Sequence, residues 1–205
     1  MAEFTGYRRE DGRIGIRNHV AIIPTSVTAS PIADHIAADT GMKTRATPHQ
    51  MGMSQPEAAR EQTERTLAGT GRNPNVGATL IVELGIEDID AEALADRIAR
   101  SGKSVETLSI REAGGTREAV NAGVEIATDL IADIQDARKE TAGVSELVLA
   151  VECGGSDATS GIAANPAVGA ACDRLVEAGG TVSFSETPEF IGAEHILAER
   201  CVHNE

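Results

Sequence analysis

The 205-residue chain has no tryptophan, one tyrosine and three phenylalanines. Its core must therefore be built from Val, Ile, Leu and Ala. Lysine occurs only at Lys43, Lys103 and Lys139, and the formal net charge is -14. No basic face is left to neutralise phosphates, which excludes nucleic acid as a partner. Cysteine is sparse, odd in number and widely spaced: Cys153, Cys172 and Cys201. That excludes a disulfide framework, and no CxxC pair announces a zinc site. Met1-Ala2-Glu3-Phe4 offers neither a basic nor an apolar leader region, and no apolar run approaches membrane-spanning length. The expected compartment is the cytoplasm.

What is present is an acidic, alanine-rich composition in which arginine far outnumbers lysine. Such a surface suits a soluble, halophilic protein, because salt screens much of its self-repulsion. It also suits an ordinary acidic cytosolic protein.

Apolar runs alternate with amphipathic stretches. Strands are expected at His19–Pro24, Lys43–Thr47, Ala78–Leu84 and Ser104–Ile110. Helices are expected at Ala29–Ala38, from Pro56 to Gly69, from an Asp90 cap to Arg100, and from Thr116 to Lys139. Four strand–helix units predict a Rossmann-like α/β domain with a parallel sheet, residues 1–142. A polar break at Thr141–Ser145 separates it from a second α/β unit, residues 143–205. That unit has strands at Glu146–Val151 and Thr181–Ser185, with helices at Pro166–Ala178 and from Pro188 to about Cys201. Two strands and two helices are too few for an independent parallel domain, so this unit is expected to be incomplete and to expose apolar surface.

Chemistry-bearing residues gather after the two strands of the second unit. One segment reads Glu152-Cys153-Gly154-Gly155-Ser156-Asp157, the other Glu186-Thr187-Pro188-Glu189 through Glu194-His195. Loops at the carboxyl ends of parallel strands converge on ligands. Glu194-His195 sets a carboxylate beside an imidazole, near Glu186 and Glu189, and such donors suit iron, manganese or magnesium. The same spacing also suits a solvated carboxylate and a partly packed histidine. Asp157 can ligate a metal or orient a base. Cys153 before two glycines reads equally as a tight turn with an inert thiol. In the first domain, Gly114-Gly115-Thr116 at a helix start can cradle an anion or simply form a loop and cap. Arg13 and Arg17 can clamp a carboxylate bidentately or serve as surface charge. His49, in a turn after the second strand, is a candidate proton carrier. His35 and the terminal His203 carry no expected role. No GxGxxG follows the first strand and no Walker lysine follows a glycine loop, which argues against a nucleotide-binding module.

Several blocks together resemble the altronate/galactarate dehydratase family, which includes the sulfolactate sulfo-lyase large subunit. They are Gly6-Tyr7-Arg8-Arg9-Glu10-Asp11-Gly12-Arg13, Arg17-Asn18-His19, Gly71-Arg72-Asn73-Pro74-Asn75-Val76, Gly114-Gly115-Thr116, Cys153-Gly154-Gly155-Ser156-Asp157, Ala164-Asn165-Pro166 and the Glu186–His195 segment. The resemblance covers nearly the whole chain, in order. It implies a metal-dependent lyase that eliminates water from a sugar acid such as altronate or galactarate, or releases sulfite from sulfolactate. The implied metal is Fe(II), with Mn(II) or Mg(II) as alternatives, held by Cys153, Glu186 and Glu189. Catalytic roles would fall to His195, Glu194, His49 and Asp157. Substrate contacts would come from Arg13, Arg17, Asn18, Gly114, Gly115, Thr116 and Ser156. Sugar-acid members often carry cysteines where this chain has Thr28, Met53 and Ile86; the sulfo-lyase branch also lacks them. The family's catalytic region is roughly twice as long. The resemblance therefore implies partners: a small SAF-type subunit, a C-terminal half as a separate chain, or further copies of this chain. A non-catalytic scaffold or split-gene subunit that needs a second chain is the alternative from another class.

Overall fold

The computed structural model describes residues 2–202, so His203 lies outside the described residues. The chain divides into two compact units, Thr5–Thr141 on the one hand and Ala142–Glu205 with Met1–Phe4 on the other. The architecture is α/β.

The larger unit is built on four parallel strands: β3 (His19–Pro24), β4 (Thr44–Ala46), β5 (Val76–Glu83) and β6 (Ser104–Ser109), in the order β4-β3-β5-β6. They follow β1 (Glu3–Arg8) and β2 (Ile14–Gly15). Helices α1 (Ser30–Thr40), α2 (Glu57–Gly71), α3 (Ala91–Ala99) and α4 (Thr116–Gln135) connect or follow the parallel strands. The strand pattern explains the layering. Successive residues of a strand point to opposite faces. Val20, Ile22, Ala78, Leu80 and Val82 therefore meet Ile32, Ile36, Ala127 and Leu130 from α1 and α4. Ala21, Ile23 and Ile81 meet Leu67, Leu94 and Ile98 from α2 and α3. Both sheet faces are covered, as a parallel sheet requires, and this is why its strands read as unbroken apolar runs.

The helix ends follow local chemistry. Asp90 caps α3 by accepting a hydrogen bond from the Ala93 amide at 3.0 Å. At Gly123 in α4 the Ile36 side chain approaches so closely that a Cβ would collide with it, and this lets α1 and α4 pack tightly.

Three elements differ from the sequence expectation. The N-terminal residues form β1 and β2, an antiparallel hairpin around Asp11-Gly12, with Gly12 at φ 85° and Arg9 N–H donating to the Arg13 carbonyl at 2.8 Å. The polar break is itself a strand, β7 (Glu140–Gly143), in a sheet of order β2-β1-β7. Its short polar sequence hides it, because only Ala142 is buried. The helix expected from Pro188 to Cys201 is broken into a 3-10 turn at Thr187–Phe190 and α6 (Glu194–Ala198). Gly192 sits between them at φ 88°, outside helical space.

The smaller unit pairs β8 (Val148–Val151) with β9 (Thr181–Phe184) in parallel, with Val148 opposite Thr181 and Val151 opposite Phe184. The crossover carries a π-helical turn, Ser160–Ala164, that runs into α5 (Asn165–Glu177). Leu175 of α5 is buried against Gly180, just before β9. No helix among the described residues is long and apolar enough to cross a membrane.

Candidate functional site

In the larger unit the strand order reverses between β3 and β5, and ligands of open parallel sheets gather at the carboxyl ends of such strands. Thr25 and Ser26 follow β3 there, and the turn Leu84–Glu87 follows β5. The Glu87 carboxylate fills this corner. It accepts hydrogen bonds from the amides of Leu84 at 2.5 Å, Gly85 at 2.6 Å and Ile86 at 2.9 Å. It also accepts from the hydroxyls of Thr25 at 3.0 Å and Ser26 at 2.9 Å. Partial burial works against the charge. The backbone amides and the Ser26 hydroxyl outweigh it and hold the carboxyl at a pKa of about 2. A row of amides in a turn is an anion nest, and here the chain's own carboxylate occupies it. Sequence reasoning passed over Glu87, because a glutamate in a polar loop looks solvated. The only signal was a glycine turn with hydroxyls after the neighbouring strand.

Beside this corner lies a cleft of about 710 Å³ lined by Glu83, Glu87, Asp88, Asp90, Glu92 and Glu112, with Arg111 as the one cation among its lining residues. Burial, and then repulsion from Glu87, Asp90 and Glu112, raises the Glu83 carboxyl above its usual range. An acid-lined cleft of this kind repels a hydroxy-acid anion.

The nominated residues of this unit fall at opposite ends of the sheet. Arg13, Arg17 and Asn18 precede β3 and lie at the amino ends of the strands. Arg13 clamps Asp11 at 2.6 Å and the Arg72 carbonyl at 2.8 Å. Asn18 donates to the Ile134 carbonyl at 2.8 Å and accepts from Arg9 at 2.9 Å. The Arg17 amide donates to the Asn75 side-chain oxygen at 3.0 Å, and its exposed guanidinium donates to the Ile16 carbonyl at 3.4 Å. Arg13 and Arg17 tie down the loop before β5, and Asn18 ties down the end of α4. His49, Gly114, Gly115 and Thr116 lie at the carboxyl ends. His49 Nε2 is 2.8 Å from the Pro24 carbonyl and its Nδ1 accepts the Met51 amide at 3.1 Å. That pairing assigns the proton to Nε2 and engages both ring nitrogens with the backbone. Gly114 and Gly115 adopt φ 97° and 124°, and their amides donate to the carbonyls of Arg111 and Ile110. Glu118 stands beside Gly115, within the first turn of α4.

In the smaller unit, Cys153, Glu186 and Glu189 come together, with one donor atom from each lying within 4.8 Å of the others. The loops after β8 and β9 position them. Glu186 Oε2 accepts the Cys153 amide at 2.9 Å, tying one loop to the other. Glu186 occupies the left-handed region at φ 67°, which a side chain adopts only against a steric cost. The Cys153 thiol lies 3.5 Å from the Ser156 hydroxyl. A thiol with two carboxylates would offer a metal a mixed soft and hard donor set. It fits a divalent transition metal, and three protein donors leave further positions open for a ligand.

Asp157, Glu194 and His195 stand outside that group. Asp157 accepts from the Thr159 hydroxyl at 2.6 Å and the Thr159 amide at 2.7 Å; the two bonds lower its pKa and shape the entry to the π-helical turn. Glu194 accepts the Gly192 amide at 2.9 Å, and bonds from its own and the Gly192 amide lower its pKa. His195 is exposed at the second position of α6.

Known proteins resemble the chain along almost its whole length. Residues 6–135 match the family model described as D-galactarate dehydratase/altronate hydrolase, second domain. Residues 144–205 match D-galactarate/altronate dehydratase, C-terminal. The (2R)-sulfolactate sulfo-lyase subunit beta of Chromohalobacter salexigens is 40% identical over 98% of the chain and 51% of its own length. The altronate dehydratase of Bacillus subtilis is 34% identical over 98% of the chain and 42% of its own length. The galactarate dehydratase (L-threo-forming) of Escherichia coli is 31% identical, with the same two shares, 98% and 42%. The chain thus spans about half the length of these relatives, or less.

Proposed function

The chain belongs to the D-galactarate/altronate dehydratase family, and from that premise we propose that it is a component of a lyase that eliminates water from a sugar acid or related 2-hydroxy acid. The observation that carries this reading is the thiol–carboxylate cluster at the carboxyl ends of β8 and β9, inside the segment that matches the family's C-terminal domain. The relatives aligned with this chain are named as dehydratases or a sulfo-lyase, and each of those names describes elimination from a hydroxylated acid.

Cys153, Glu186 and Glu189 would hold a divalent metal, Fe(II) by the resemblance, with Mn(II) or Mg(II) as alternatives. A bound cation would supply Lewis-acid stabilisation of the charge that develops on the substrate carboxylate. The chain's own residues account for the rest. Elimination removes the proton on the carbon bearing the carboxylate and expels hydroxide from the neighbouring carbon with a proton from an acid. His195, exposed on α6, is proposed as the proton carrier, with Glu194 beside it. The bond from the Cys153 amide to Glu186 ties the two loops together, which supports their acting as a pair. Ser156 and the amides of Gly154 and Gly155 are proposed to meet the substrate's oxygens. A small SAF-type subunit or the family's remaining half as a separate chain is the proposed partner, in a cytoplasmic assembly.

A sulfo-lyase reading is the second one. It is favoured by the higher identity to the sulfo-lyase subunit, 40% against 34% and 31%. It requires the same proton abstraction with sulfite as the leaving group.

The test measures metal and turnover separately. Metal content by mass spectrometry, after loading with Fe(II) or Mn(II), should fall at least tenfold in Cys153→Ser/Glu186→Gln and stay unchanged in His195→Ala. Turnover of altronate, galactarate and sulfolactate should be assayed with the family's remaining half supplied. His195→Ala should then lose at least 100-fold, a typical loss for a general acid–base group. Undiminished metal in the double variant sinks the ligand assignment. Near-normal turnover in His195→Ala sinks the proton-carrier role.

A further inference from the structure

We infer that the ring pair Phe184–Phe190 is a positioning device: it holds the turn between the two rings in the shape that presents Glu189 beside Glu186 and Cys153. The inference rests on the reading of those three residues as metal donors. The three are held unequally. Cys153 and Glu186 are joined directly, by the bond from the Cys153 amide to Glu186 Oε2 at 2.9 Å. The Glu189 carboxylate has no hydrogen bond or ion pair among the described residues. Its place within 4.8 Å of the other two donors is therefore set by the backbone turn that carries it.

That turn is short. Glu186 caps it, the Glu189 amide donates to the Glu186 carbonyl at 2.9 Å, and Phe190 ends it. A spacing of three residues brings side chains to one side of a 3-10 turn. The hydrogen bonds just beyond, from the Ala193 amide to the Phe190 carbonyl and from the Gly192 amide to Glu194, stay within residues 190–194. The rings tie the turn back to β9. Phe190 closes on Phe184, the last residue of that strand, with centroids 5.4 Å apart and planes at 55°. Tilted pairs of this kind are favoured by the charge distribution of the rings.

Aromatic side chains are not the ordinary packing material of this chain. It has three phenylalanines and one tyrosine, and neither apolar core of the larger unit contains one. Two of the four rings stand here and flank the donors, Phe184 two residues before Glu186 and Phe190 directly after Glu189. A ring has only two side-chain torsions to fix, so it holds a backbone shape at low entropic cost.

The experiment titrates the full chain with Co(II) and follows the near-ultraviolet charge-transfer band of a thiolate–cobalt bond, where the absence of tryptophan keeps the background low. The wild-type chain should bind with a band that Cys153→Ser removes. Phe190→Ala should weaken binding roughly three- to tenfold, the factor that the worth of one aromatic pair sets. Phe190→Tyr keeps the ring and should match the wild type. Ile191→Ala, a truncation at the exposed neighbouring position, should leave affinity unaltered. Glu189→Gln should weaken binding, and Phe190→Ala added to it should weaken it no further, because the ring acts through that carboxylate. Should circular dichroism show that Phe190→Ala fails to fold, Phe190→Leu replaces it in each comparison, and equal binding by Phe190→Leu and Phe190→Tyr then overturns the inference. Unchanged affinity in Phe190→Ala, or the same weakening with Glu189 already replaced, overturns it while the donor assignment stands. A wild-type chain that binds no Co(II) overturns the donor assignment, and the inference with it.

Discussion

Removing the charge of Glu87 should cost the larger unit a measurable part of its stability, and the loss should depend on pH in a defined direction. Its carboxylate joins three amides of the β5 turn to two hydroxyls after β3, across the point where the strand order reverses. Its pKa falls from 4.5 to about 2. Taken at about 1.36 kcal/mol per unit, that shift corresponds to roughly 3.4 kcal/mol. The group is partly open to water, so solvent screening reduces the figure to about 1–2 kcal/mol.

In Glu87→Gln one oxygen becomes an amide nitrogen that cannot accept, and at least one backbone amide is left facing it. A hydrogen bond to a charged acceptor is worth about 1.5–3 kcal/mol, and these amides are exposed or only partly buried, so about 1–2 kcal/mol is expected at pH 7. For a unit of this size that lowers the melting temperature by roughly 4–10 °C. Without tryptophan, far-UV circular dichroism during urea or thermal unfolding is the suitable probe.

A carboxyl whose folded pKa is depressed contributes fully above its unfolded pKa and loses that contribution as pH falls through the folded one. The gap between wild type and variant should therefore be constant above about pH 5 and shrink from there towards pH 2. A gap below about 0.5 kcal/mol at pH 7, or one that does not change over that acid range, refutes the keystone role.

Lys103 supplies the opposite sign. It is buried and donates to the carbonyls of Gly71 at 3.0 Å and Asn73 at 2.6 Å, and burial, followed by repulsion from Arg9 and Arg13, lowers its pKa from 10.5 to about 7. The unfolded chain then binds more protons between those values, so stability should rise from pH 7 to 10.5. Lys103→Met should flatten that rise, and equal slopes for the two proteins in urea titrations would contradict it. If the net charge of -14 reflects adaptation to salt, the melting temperature should climb from dilute to molar sodium chloride; a flat or falling curve counts against a halophilic origin.

Much of the larger unit was legible because a sheet covered on both faces demands continuous apolar strands. His19–Pro24 was located by that signal alone, and Asp90 marked the start of α3 by its capping chemistry. The family blocks were equally legible, since their glycines, arginines and carboxylates recur in order. β1 and β7 were not, because short polar strands carry no periodicity and draw their identity from the neighbour they pair with. The break before α6 was missed because a glycine within an amphipathic stretch reads as helix until its φ is known.

The sequence by itself determined the α/β class, the acidic surface and the residue types available for chemistry, since composition and periodicity act locally. Only the tertiary structure decided which of those residues meet. It joined Cys153 to Glu186 and Glu189, some thirty residues further along the chain, by pairing β8 with β9. It turned Arg13, Asn18 and His49 towards backbone carbonyls, and it brought Glu87 to the amides and hydroxyls of two adjacent strand ends. Such assignments depend on which groups the folded chain leaves within about 3 Å of one another, because hydrogen bonding and ligation act only at that range.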